Sequence, residues 1–336
     1  MRLGAVYSDT VNALYRVVIP MMGLQGLGYE VVGVRLERGE RLDISPLIGC
    51  DLVQLHRISF FDGHDPIADL HEAGALVSFD EDDDMGAGTP EIEAIVGSDR
   101  FASGQKQFAN LLARLPEVDL VTTPSEALAD RFEEAGAPTI EVIDNYLLDR
   151  FAGTNAIGHD GFVIGWHACA EHAIDAELLG LAAVLQQTME RHECVRVVTI
   201  GLDLGLDHER YRASPNVSFD MLTRELADVD LGIAPLADTP FGRARSNVKV
   251  REYAAAGVPW LASDLGPYAG LGKDQGGQLV GDDEWFAAID QLVNSPRAHR
   301  KQRERARRWG TAETISSMCH IWEEAFLDTL ATAQSV

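Results

Sequence analysis

Apolar residues along this chain fall into two kinds of segment. Short continuous runs bounded by Gly, Asn, Asp or Pro predict buried strands, and longer stretches with apolar positions every three or four residues predict helices. In the first half "LGAVYS", "YEVVGV", "CDLVQLHR", "ALVSFD", "DLVTTPS" and "TIEVIDN" are strand-like. Helical spacing marks "VNALYRVVIPMMGLQGLG", "PIADLHEAG" and "EALADRFEEAG", each closed by glycine. Polar, glycine-rich "GTNAIGHDG", 153–161, reads as a linker. The second half repeats the pattern. "FVIGWHA", "VRVVTIG", "LGIAPL" and "WLAS" are strands; "AIDAELLGLAAVLQQTMERH" reads as one long helix, with "MLTRELADVD" and "DEWFAAIDQLVNS" as further helices. The last 40 residues read as helical throughout. Strands alternating with helices predict an α/β fold with parallel sheets covered on both faces. No repeat of 20–50 residues is evident.

Composition narrows this picture. A chain of 336 residues fits two domains of about 150 each, and 46% hydrophobic content supplies their cores. A net charge of −25 argues against nucleic acid as a partner, because phosphate would be repelled. Cys50, Cys169, Cys194 and Cys319 form no CxxC pair, which predicts reduced thiols and a cytoplasmic protein. The opening "MRLGAVYSD" has no signal-peptide core, and no run of about 18 apolar residues predicts a membrane span.

The most informative stretch is "RARSNVKVREYAAAGVPWLAS", Arg243 to Ser263. Ser246 suits an N-cap, and Gly257 with Pro259 suits a stop, so a helix is expected over about 247–256. Its start offers free N–H groups and a positive dipole end to an anion. Arg243, Arg245 and Lys249 add cationic side chains there. Glu252 follows Ser246 by six residues, about 9 Å along a helix axis. A diphosphate at the helix start and a ribose diol at Glu252 would fit that layout. The same spacing also suits a surface helix carrying a Lys249–Glu252 pair.

The segment "DLGIAPLADTPFGRARSNVKVREYAAAGVPWLASDLGPY", with "VDLVTTPSEALADRF", "VIDNYLLDRF" and "IGWHACAEHAID" around it, resembles GT-B-class, family-4-like glycosyltransferases. The resemblance is strongest over 228–268. It implies an acceptor-binding Rossmann-like domain over 1–153 and a donor-binding one over 160–310, with parallel sheets facing a central cleft. Residues 311–336 would cross back to the first domain. It also implies sugar transfer from a nucleoside diphosphate donor to a carbohydrate, lipid-linked or small-molecule acceptor, usually with retention, without a bound metal or other cofactor. Residue by residue, it places Arg245 and Lys249 at the leaving group and His56 beside the sugar. Gly165, Trp166, His172, Arg243, Ser246, Asn247 and Glu252 would bind the donor, with Arg16, Arg57 and Asp82 on the acceptor side.

Several departures leave alternatives open. Ala244 stands where the family carries its first glutamate, and the first-loop arginine and lysine are replaced by Trp166, His167 and His172. A non-catalytic nucleotide-sugar binder or partner subunit therefore stays open. Asp80-Glu81-Asp82 is a DxD pattern that suits a divalent cation, or a solvated acidic loop. His167, Cys169 and His172 are zinc-ligand types without an evident fourth ligand. "GLQGLG" imitates a dinucleotide fingerprint but follows a helix, which predicts a helix stop. Arg297 to Arg308 carries seven Lys or Arg, giving either a wet helix face or peripheral contact with an anionic membrane.

Overall fold

The computed structural model describes residues 1–8, 11–37, 40–58, 65–152 and 158–335. Residues 153–157 of the expected linker lie outside the described residues. Twelve strands among the described residues form two six-stranded sheets in which every pairing is parallel. The first holds β1 (Arg2–Tyr7), β2 (Glu30–Arg35), β3 (Leu52–His56), β4 (Leu76–Asp80), β5 (Leu120–Thr123) and β6 (Ile140–Val142), in the order 2-1-3-4-5-6. The second holds β7 (Phe162–His167), β8 (Val195–Ile200), β9 (Tyr211–Ser214), β10 (Leu231–Ala234), β11 (Trp260–Ser263) and β12 (Gly277–Val280), in the order 9-8-7-10-11-12. The central strands β3 and β4 are buried on both faces, which is why their apolar runs are continuous rather than alternating.

Both orders reverse direction once, between β1 and β3 and between β7 and β10. Ligands of open parallel sheets bind beyond the carboxyl ends of strands at such a switch point. Here the chain following β1, β3, β4, β7 and β10 lines one shared cavity of about 880 Å³. Each sheet is covered on its two faces by a pair of apolar clusters. Ile315, Trp322 and Phe326 of the last helix, Ile315–Ala333, belong to the cluster around Leu3 and Ala5 of β1. Gly23 permits that contact, since a Cβ there would lie 2.6 Å from Cys319 Sγ. Gly28, at φ 98°, terminates the helix Ile19–Gly26, so "GLQGLG" does serve as a helix stop.

The structure departs from expectation in three ways. The long helix over 173–192 is two helices, Ala173–Leu178 and Leu181–Arg191, divided by Gly180 in the left-handed region at φ 57°. Strands β9 and β12 close the second sheet at its edges. Helices Pro90–Val96 and Ser98–Leu112 lie between β4 and β5. No helix among the described residues is long and apolar enough to cross a membrane.

Candidate functional site

The helix expected over 247–256 begins one residue later, as Val248–Ala255, after a short helix Pro240–Arg243 that follows β10. Asn247 rather than Ser246 is its N-cap, and Asn247 makes no side-chain cap. Its amide instead accepts from Arg251 at 2.9 Å and donates to Asp144 at 2.7 Å. Arg251 itself pairs with Asp144 and Glu313 and lies over Tyr146 and Trp309. Asn247 thus fastens the helix start to the passage between the domains, and it does not line the cavity.

Ser246, Lys249 and Glu252 do line it, together with Arg245 and His172. Glu252 is buried, yet Lys249, His167 and Tyr15 outweigh that burial and hold its carboxyl below the usual range. His167 Nδ1 lies 3.1 Å from Glu252 and 3.4 Å from Lys249 Nζ. One ring nitrogen serves one partner at a time, and the shorter contact makes Nδ1–H a donor to the carboxylate. The Lys249 ammonium is then left facing the cavity. Burial and Lys249 push His167 below its ordinary pKa, so it is neutral near pH 7.

Arg245 stacks on Phe241 and reaches Asp83 at 3.1 Å and Glu171 at 3.5 Å. Burial opposes its charge, but Asp83, Glu171 and Asp175 raise its pKa further. Its second terminal nitrogen lies 3.2 Å from His172 Nε2. Guanidinium only donates, so Nε2 must accept and the ring proton sits on Nδ1, facing Asp175 at 2.7 Å. Burial and the neighbouring cations depress His172, in keeping with that neutral tautomer. Both its nitrogens are engaged, which leaves no lone pair for zinc.

The opposite wall comes from the first domain. The chain after β1 widens into an i→i+5 turn over Leu14–Val18, ahead of Pro20, which has no N–H to give Arg16 O. Gln54 Nε2 supplies a donor to that carbonyl at 3.3 Å. The turn aims Tyr15 across the cleft, and its hydroxyl donates to Glu252 at 2.6 Å. Burial and Glu252 hold the Tyr15 pKa well above normal. Arg57 adopts φ 51°, a left-handed conformation that a non-glycine residue takes up only under constraint. Its guanidinium lies among Glu81, Asp82 and Asp83, with Nε 2.8 Å from the first two.

The acidic stretch after β4 is therefore neither a solvated loop nor a free DxD pair. Glu81, Asp82 and Asp84 are all buried. Burial lifts Glu81 to about 7 despite Arg57 and raises Asp82 too. Asp80 is fully enclosed, its oxygens held by Arg16, His56 and Thr122. Burial alone would raise it, but Arg16 and His56 win and hold it at about 2.

Several expected site residues are absent from the cavity wall. His56 is fully buried, 2.8 Å from Asp80, and does not line the cavity. Arg16 is equally enclosed, holding Asp80, Ile143 and Asn145 beside the Trp322 ring, and does not line the cavity. Gly165 and Trp166 sit inside β7; a Cβ on Gly165 would lie 2.5 Å from Val229, so that glycine serves packing. Arg243 points to solvent and pairs with Asp238 at 2.9 Å. Of the acceptor-side residues, Arg57 and Asp82 line the cavity. Tyr15 is a site residue that nothing in "NALYRVVIP" singles out, and His167, which the sequence offers as a first-loop replacement and a zinc-ligand type, holds Glu252.

Neither a protein-family model nor a curated sequence matches the chain. Solved structures do. A sucrose-phosphate synthase from Thermosynechococcus elongatus superposes with a TM-score of 0.70 at 12% identity, over 99% of this chain and 100% of that one. Anabaena HepE in complex with UDP and glucose gives 0.65 at 12% identity, over 98% and 100%. An E. coli trehalose-6-phosphate structure bound with UDP-2-fluoro glucose gives 0.64 at 12% identity, over 98% and 99%. At such identity the likeness is one of fold, and that fold is the GT-B architecture of two Rossmann-like α/β domains about a cleft.

Proposed function

We propose that this protein transfers a sugar from a nucleoside diphosphate donor to an acceptor bound across the cleft. The observation that carries the reading is the grouping of Arg245, Ser246, Lys249 and Glu252 on one wall of the cavity, at the switch point of the second sheet. The diphosphate would meet Arg245, Lys249 and the amides at the helix start, and Glu252 would accept from the ribose hydroxyls. The acceptor hydroxyl oxygen forms a bond to the anomeric carbon. The bond from that carbon to the diphosphate oxygen breaks with its electron pair, and the hydroxyl proton passes to a phosphate oxygen. Arg245 and Lys249 stabilise the charge that develops there. Transfer on the leaving-group face retains anomeric configuration, and no protein nucleophile is required. His172, neutral and fixed by Asp175, keeps the Arg245 fork aimed into the site.

The known structures support this reading through their bound UDP and UDP-sugar, in the same fold. A second reading, a nucleotide-sugar binder without turnover, draws on Ala244, a buried alanine where the resembling family carries a glutamate. Calorimetric titration with uridine and guanosine diphosphates, then assay of donor hydrolysis, separates them. Tight diphosphate binding with hydrolysis supports transfer, binding without hydrolysis in the presence of any acceptor supports the second reading, and no binding removes both.

A further inference from the structure

Strand β7 ends on His167, and that residue is held at two points. Its backbone N–H donates to the Tyr253 hydroxyl at 3.1 Å, which in turn donates to the Ile233 carbonyl at 2.9 Å. Its ring donates from Nδ1 to Glu252 Oε2. A neutral imidazole with its proton on Nδ1 carries a lone pair on Nε2. His167 lines the cavity, and its Nε2 has no partner among the described residues and is open to the cavity rather than enclosed. The His, Cys, Asp and Glu side chains of the described residues form no group of three that could hold a metal ion, so the open nitrogen belongs to none. The carboxylate beside it is engaged at both oxygens. Oε2 takes the His167 proton, and Oε1 takes the Tyr15 hydroxyl of the opposite wall. A ligand hydroxyl can replace the tyrosine at Oε1, while Oε2 stays with the imidazole. Two neighbouring hydroxyls therefore cannot sit squarely on Glu252, one to each oxygen. The second needs another acceptor, and Nε2 belongs to the ring that Oε2 holds. Lys249 Nζ, 3.4 Å from Nδ1, repels a cationic donor at this place. Two adjacent acceptors flanked by an ammonium select a neutral ligand that brings two donors.

From this arrangement we infer that His167 is a specificity-determining residue for a vicinal diol: one hydroxyl donates to Glu252 Oε1 and its neighbour to His167 Nε2. The inference rests on the transferase reading, under which the diol is the ribose of the nucleoside diphosphate. It adds a second acceptor to Glu252, from the segment where the resembling family carries an arginine and a lysine. With Glu252 at the ribose, the diphosphate separates Nε2 from the anomeric carbon. The part of His167 is then recognition of the donor, and the acceptor's proton does not pass to it.

The test is calorimetric titration of the intact protein with uridine diphosphate and its 2′-deoxy and 3′-deoxy analogues, repeated on His167→Phe and His167→Gln. Where guanosine diphosphate binds and uridine diphosphate does not, its own deoxy analogues take their place. The parent should bind both analogues more weakly than the ribonucleotide. The hydroxyl on the carboxylate should count for about ten- to a hundredfold, and the one on the neutral imidazole for about two- to tenfold. His167→Phe keeps a planar ring without an acceptor, and should abolish the smaller penalty while leaving the larger one. His167→Gln presents an amide oxygen near the place of Nε2 and should restore much of the smaller penalty. A merely structural role would weaken all three nucleotides by one factor in His167→Phe, and that result overturns the inference. So does a parent that binds the ribonucleotide and ignores either deoxy substitution, a readout that needs no variant; it leaves the transferase reading intact. No binding of either ribonucleoside diphosphate sinks the transferase reading, and the diol site with it.

Discussion

The charged residues of this chain divide by depth, and depth decides what each can do. Arg16 and Asp80 are both fully enclosed and hold one another. Replacing Arg16 by Ala would strand Asp80 without its cation, a loss of about 3–5 kcal/mol that urea unfolding would reveal. The same pair sets an acid limit. Asp80 is held at about 2 against an ordinary 3.8, so its stabilisation is present above pH 4 and lost as pH falls towards 2. That loss amounts to roughly 2 kcal/mol. Asp80→Asn should flatten the acid limb of the urea midpoint between pH 4 and 2; an unchanged limb would show that other carboxylates set it. Lys249 differs, because its ammonium faces the cavity. Lys249→Ala should weaken uridine diphosphate binding about tenfold to a hundredfold with a much smaller effect on unfolding, in line with the loss of one charge-assisted hydrogen bond. The shared placement of Lys249 and Glu252 on the cavity wall was legible because helical spacing alone puts them on one face. The depth of Arg16 and His56 was not, because it depends on strands and a terminal helix far away in the chain.

At the scale of elements, the strands with continuous apolar runs were readable from sequence, and those without were not. β9 reads "YRAS" and β12 "GQLV", edge strands with little apolar content to mark them. Ser98–Leu112 was equally silent: Phe101, Phe108 and Leu111 form a sparse stripe in a polar segment interrupted by Gly104. That gap matters, since this helix and Pro90–Val96 supply Ile92, Val96, Arg100 and Phe101 to the cavity wall. Helix Val248–Ala255 has a support that sequence pattern also hides. Helix Pro296–Ala312 crosses Val248–Ala255 at Gly310, where a Cβ would lie 2.3 Å from the Ala254 backbone. Backbone cannot yield as a flexible side chain does. Gly310→Ala should therefore cost about 1–3 kcal/mol of stability, despite alanine's better helix propensity, and should weaken diphosphate binding by displacing the start of helix Val248–Ala255. Calorimetric titration and urea unfolding of that variant read the two effects separately; a stabilised variant would mean that the crossing is looser than its geometry shows.

At the scale of the whole molecule, the two domains touch through the groups that the donor would need. Tyr15 of the first domain occupies Glu252 of the second, and Asp83 of the first occupies Arg245 of the second. A carboxylate on a half-buried guanidinium imitates a phosphate oxygen, and a phenol on a carboxylate imitates a ribose hydroxyl. Donor binding must exchange each protein contact for a ligand contact, so part of its free energy goes into parting the walls. Asp83→Ala removes the competitor while leaving Arg245 paired with Glu171. The variant should bind uridine diphosphate about three- to tenfold more tightly than the parent, most clearly at low salt, where the competing ion pair is least screened. Tyr15→Phe should act in the same direction, since it frees Glu252. Weaker binding in either variant would place that side chain within the donor site itself, and the contact across the cleft would then be part of how the donor is held. Arg245→Ala supplies the opposite sign, because it removes the cation that both ligands want. A gain from Asp83→Ala beside a loss from Arg245→Ala would identify the bridge as an exchangeable stand-in for diphosphate, made by the chain's own acidic wall.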